Sequence, residues 1–136
     1  MDKVLVDTNI VIDLLTKRKE FYKPASRLFT LSDNKKIKLA ISSLTFANTF
    51  YLVSKELNTT KAKEILRKFK LLVKVLPMDD KIIDLSLNSD FKDFEDAIQY
   101  FTALENKIGI IITRNLKDFK LSKIPVMTAD DYLTMK

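Results

Sequence analysis

Val4-Leu5-Val6-Asp7-Thr8-Asn9-Ile10-Val11 is the stretch that decides the fold. Lys3 to Val6 reads as a short buried strand. Beyond Asp7 the spacing changes, and Ile10, Val11, Leu14 and Leu15 recur at helical intervals. A strand therefore feeds directly into a helix, which leaves Asp7 at the strand's carboxyl end. In an open parallel sheet that edge is where ligands bind.

Working outward, apolar runs at Lys38 to Ile41, Val73 to Leu76, Ile110 to Ile112 and Val126 to Met127 predict four further strands. Helical patterns lie between them. One covers Phe21 to Leu31, and Asp33-Asn34-Lys35-Lys36 makes the turn that follows it. Ser42 or Ser43 is placed to cap a helix bearing Leu44, Phe46, Ala47, Phe50, Tyr51 and Val53. Thr59 or Thr60 caps the next, striped by Ile65, Leu66, Phe69 and Leu72, and Asp79 or Asp80 starts another through Ile82 and Ile83. Gly109, the only glycine, stands where a helix must stop before a strand. Strand and helix alternate without a linker or repeat. The expectation is one α/β domain over residues 1–136, a three-layer α/β/α fold around a central parallel sheet of four to five strands.

Composition narrows the chemistry. With no cysteine and no histidine, disulfides, thiolate zinc sites and imidazole bases are all excluded. What remains is oxygen, which suits magnesium, manganese or calcium. Asp2, Lys3 and Asp7 interrupt the N-terminus before a signal-type apolar core could form, and no run reaches membrane-spanning length, so a cytoplasmic protein is expected. The 24 Lys and Arg exceed the 18 Asp and Glu, a net charge of +6 that favours a polyanionic partner such as RNA. Clusters at Lys17-Arg18-Lys19, at Lys35-Lys36-Ile37-Lys38 and along Lys61, Lys63, Arg67, Lys68 and Lys70 are candidates for a basic rim. Solvated helix faces carry lysine for simpler reasons too.

Three acids occupy comparable places. Asp7 follows the first strand, Asp96 opens an apolar helical stretch, and Asp118 lies just beyond Ile110-Ile111-Ile112-Thr113. Singly, each reads as a helix cap or turn acid. Together, at one sheet edge, they suggest a divalent-metal site. Asp13 and Glu95 read as solvated helix-face charges, and Phe46, Phe50, Tyr51, Phe69 and Phe101 as core.

Asp7-Thr8-Asn9, Asp93-Phe94-Glu95-Asp96-Ala97 and Thr113-Arg114-Asn115-Leu116-Lys117-Asp118-Phe119, in this order and spacing, resemble the PIN domain. The resemblance spans essentially the whole chain, and extends to the toxin ribonucleases of VapC-type toxin–antitoxin pairs. It implies a Mg²⁺- or Mn²⁺-dependent ribonuclease, an antitoxin partner and a homodimer. Asp7 and Asp96 match the first and third family acids, and the fourth falls on Asn115 or Asp118. The second, usually a glutamate, falls on Asn48. An amide keeps an oxygen ligand but removes a charge, which weakens hard-cation binding. Glu56 lies roughly 12 Å further along that helix and is a poor substitute.

Catalysis by such a site needs Asp7, Asp96 and Asp118 for the metal, with Asn48 and Asn115 as further oxygen ligands. Thr8, Asn9 and Thr113 would orient carboxylates and substrate, and Arg114 would meet phosphate. Two other readings stand beside it: a PIN-like module that binds nucleic acid or protein without cutting, and a phosphate-accepting response-regulator-like domain. The latter needs an acid directly after the third strand, where this chain has Leu76-Pro77-Met78.

Overall fold

The computed structural model describes residues 1–136. In chain order its elements are β1 (Lys3–Val6), α1 (Thr8–Leu15), α2 (Tyr22–Asp33), β2 (Lys38–Ser42), α3 (Ser43–Glu56), α4 (Thr59–Lys70), β3 (Lys74–Leu76), α5 (Asp80–Leu87), α6 (Phe94–Glu105), β4 (Ile110–Ile112), a 3-10 turn (Leu116–Phe119), β5 (Val126–Met127) and α7 (Ala129–Met135). All five expected strands are present within two residues.

The strands form one parallel sheet ordered β3-β2-β1-β4-β5. Alternation along each strand divides two cores. Val4, Val6, Leu39, Ile41 and Ile112 pack with residues of α1, α2, α4 and α7, while Leu5, Ala40, Leu76 and Ile111 pack with Tyr100 and Ala103 of α6 and with Phe119. The sheet is thus buried on both faces, which is why its strands read as unbroken apolar runs. The result is the expected three-layer α/β/α sandwich.

Chain order runs outward from β1 through β2 to β3, then returns to the other side of β1 as β4. The crevice between the carboxyl ends of β1 and β4 is accordingly the topological switch point. Asp7 sits there, and its backbone N–H donates to Ile112 of β4 at 2.9 Å.

Two local expectations need correction. Asn58, not Thr59 or Thr60, caps α4, its side chain accepting from Lys61 N at 2.8 Å. Nor does Gly109 end α6. That helix closes at Lys107, left-handed with φ 55°, whose N–H donates to Leu104 while Ile108 N–H donates to Ala103. This is a Schellman closure with lysine where glycine is commonest. Gly109 has already joined the sheet, donating to Lys3 O at 3.2 Å. No helix is long and apolar enough to cross a membrane.

Candidate functional site

Asp7 occupies the N-cap position of α1, with an extended backbone at φ −74° and ψ 160°. Its Oδ1 accepts from Thr8 N at 2.8 Å, and its Oδ2 accepts from the Thr113 hydroxyl at 2.8 Å and from Asn9 Nδ2 at 3.5 Å. Asp7 is only 7% exposed. Burial raises its pKa, opposed by the Thr113 and Thr8 hydrogen bonds and reinforced by the charges of Asp118 and Glu95.

Thr113 and Asn9 tie β4 to α1 around this acid. Thr113 Oγ1 also accepts from Asn9 Nδ2 at 3.3 Å and from Asn115 N at 3.1 Å, and Asn9 Oδ1 accepts from Arg114 N at 3.3 Å. Thr8 turns its hydroxyl to Thr45, 2.9 Å away on α3.

Asp96 comes from the other face of the sheet. It is the third residue of α6, and its N–H is capped by Asp93 at 3.0 Å. Half-buried, it has a pKa raised to about 7, first by desolvation and then by the charges of Asp93, Asp7, Asp118 and Glu95. Asp118, exposed on the 3-10 turn, completes the group. These residues line one open groove of about 520 Å³, mostly polar, together with Asn48, Glu95, Gln99 and Asn115.

The charges of Asp118 and Glu95 thus raise the proton affinity of both Asp7 and Asp96. Carboxylates crowded in this way would be relieved by a bound cation. As placed, no three acidic side chains converge into a ready-made cage. Magnesium, however, needs only one or two carboxylates because it keeps several waters. An oxygen-only donor set in an open groove fits a hydrated hard cation.

Several residues sit elsewhere than expected. Asp13 is not a solvated charge: it is 1% exposed and bound bidentately by Arg114, Nε to Oδ2 at 2.8 Å and Nη2 to Oδ1 at 3.2 Å. Arg18 approaches it at 4.0 Å, and the Phe21 ring lies 4.1 Å from the Arg114 guanidinium. Two Arg114 nitrogens are therefore committed to an internal pair, and Nη1 alone has no hydrogen bond. The helical repeat held the clue, since Asp13 falls three residues after Ile10 on the inward face.

Glu95 lines the groove and accepts from Asn48 Nδ2 at 3.2 Å. Tyr51, expected in the core, is 59% exposed at the groove's edge, while Phe46, Phe50, Phe69 and Phe101 do pack inward. Lys35 and Lys38 form no part of a rim. They lie with Lys3 and Lys74 at the amino ends of the strands, on the far edge of the sheet. Arg18 and Arg114 are the cations that line the groove.

A family model described as PIN domain matches residues 3–117. The ribonuclease VapC1 of Aquifex aeolicus is 26% identical over 136 residues, covering 96% of this chain and 93% of that protein. A toxin–antitoxin complex from Klebsiella pneumoniae contains a chain 28% identical, with TM-score 0.69 and coverage of 93% of this chain and 97% of that one. DNA-bound VapBC from Salmonella typhimurium shares the fold at TM-score 0.73 and 19% identity, covering 95% and 99%.

Proposed function

The chain belongs to the PIN domain family, and from that premise we propose that it is a divalent-metal-dependent endoribonuclease acting as the toxin of a toxin–antitoxin pair. The observation that carries this reading is that Asp7, Asp96 and Asp118 line one groove at the β1/β4 switch point, and that this groove has no histidine, cysteine or lysine in its lining. Similarity to a protein named as a ribonuclease supports RNA as substrate, and similarity to a toxin–antitoxin complex supports a protein partner.

Asp7, Asp96 and Asp118 would hold Mg²⁺ or Mn²⁺, with Asn115 in reach of the same groove. The bound cation would supply an activated water and neutralise charge on the phosphoryl oxygens. Thr113 and Thr8 fix the Asp7 carboxylate so that it need not reorganise when loaded. Asn9 locks that arrangement by bonding both Thr113 and the Arg114 backbone. Arg18 and the free Nη1 of Arg114 would hold phosphate at the groove's edge and offset its acidity.

A cleavage assay on single-stranded RNA tests the proposal. Hydrolysis should require Mn²⁺ or Mg²⁺, stop with EDTA, and vanish in Asp7→Asn and Asp96→Asn. Metal-independent cleavage would overturn it. The hydrogen bond from Asn48 to Glu95 favours a second reading, a module that binds RNA or a partner protein but cuts poorly, since the amide at 48 withholds one anionic ligand. RNA binding without turnover under the same conditions would select that reading.

A further inference from the structure

The groove has one apolar lip. Ile12, Tyr51 and Leu52 are the apolar residues of its lining, and of these Ile12 is buried while Tyr51 is 59% and Leu52 43% exposed. A lone apolar side chain at a surface needs no explanation. An aromatic ring left open beside carboxylates, amides and two arginines does, because Phe46 and Phe50 of the same helix pack inward.

Helical spacing sets that ring in line with the acids. Tyr51, Leu52 and Lys55 follow Asn48 at three, four and seven residues, so the four share one flank of α3. Asn48 marks the acid end of the flank, bonded to Glu95 beside Asp96. Tyr51 stands roughly 4.5 Å further along the helix axis. The exposed Lys55 ammonium lies 4.5 Å from the centroid of the Tyr51 ring, yet a residue so open keeps surface for a second stack. Along the flank the order is therefore acids, ring, cation.

A single strand of RNA offers the complement of that order. Its phosphates recur as anions, and between them an unpaired base presents a flat face that stacks on an aromatic side chain. We propose that Tyr51 is the stacking residue for an unpaired base next to the phosphate held at the acids, with Leu52 as the apolar edge below it and Lys55 placed for the adjoining phosphate. Bases in a duplex are stacked on one another and cannot reach the ring, so the contact selects single-stranded RNA. This rests on the ribonuclease reading above.

The test compares a single-stranded oligoribonucleotide with an abasic chain of the same length, which keeps the phosphates and lacks the bases. Affinities are read by anisotropy in EDTA, where nothing is cut, and with Mn²⁺ in the first moments of a stopped-flow trace. Tyr51→Ala should bind the RNA about tenfold more weakly and the abasic chain as well as wild type does, while Tyr51→Phe should bind both like wild type. Because the chain has no tryptophan, Tyr51→Trp supplies a single indole, whose emission should be quenched by the RNA and not by the abasic chain. That variant decides if Tyr51→Ala does not fold. Unchanged RNA affinity in Tyr51→Ala, or an equal loss for both chains, overturns the stacking role while leaving the RNA reading intact. Indole emission that follows protein concentration and ignores RNA also overturns it, and assigns the lip to a protein contact. Wild type that binds no RNA, with or without Mn²⁺, overturns both readings.

Discussion

Asn48 Nδ2 on α3 donates to Glu95 Oε1 on α6 across 3.2 Å, so an amide on one helix is paired with an acid from another. That acid stands one residue before Asp96 on α6. Asn48→Glu would place two carboxylates in contact. It should lower metal-free stability, by about 0.5 to 1 kcal/mol for a partly exposed like-charge pair, and tighten Mn²⁺ binding. Calorimetry and thermal melts read both, and no gain in Mn²⁺ affinity would mean that Glu95 already fills the role.

Asp96 should make stability fall as pH rises. Its folded pKa of about 7 stands above the ordinary 3.8, chiefly through burial. The native state therefore holds the proton more tightly than the unfolded chain. The penalty is absent below pH 4, grows between 4 and 7, and is complete above 7. Asp96→Asn should flatten that window and stabilise the metal-free protein at pH 8 by about 1 kcal/mol, a fraction of the full shift because the carboxylate is half open to water. Urea titrations across pH would contradict this if the two proteins kept parallel profiles.

Arg114 should matter for folding before it matters for substrate. Arg114→Ala strands Asp13, a buried carboxylate left with only the 4.0 Å approach of Arg18. A loss of about 3 kcal/mol is expected, as for other broken buried pairs. Asp13→Asn combined with Arg114→Ala should recover part of it, and strictly additive losses in that double-mutant cycle would argue against the pairing.

RNA affinity should depend on Arg18 and not on the far edge of the sheet. Arg18→Ala should weaken binding and flatten the salt dependence by about one counterion, whereas Lys35→Glu with Lys38→Glu should leave cleavage unchanged. Filter binding across salt concentrations separates the two. Equal losses in both would indicate that RNA wraps around the domain.

Lys107→Gly should stabilise the protein by about 0.5 to 1 kcal/mol, because lysine there bears the cost of a left-handed backbone at φ 55°. Gly109→Ala should cost nothing in contacts, since an added Cβ meets no atom within 4 Å. Denaturant midpoints of the two variants check both statements.

What the sequence by itself determined is the alternation of strands and helices, hence the three-layer sandwich, and the strand-end address of Asp7. Strands buried on both faces must be continuously apolar, and caps and turns use chemistry confined to neighbouring residues, so both are written locally. Only the tertiary structure decided which faces meet. Asp13 and Arg114 pair across 101 positions, Gln99 and Thr45 across 54, and Asn48 and Glu95 across 47. A side chain's partner at that range depends on how helices from opposite faces converge over the sheet edge. The same packing sends Lys35 and Lys38 to the far edge, because β2 runs parallel to β1 and begins where the groove is not.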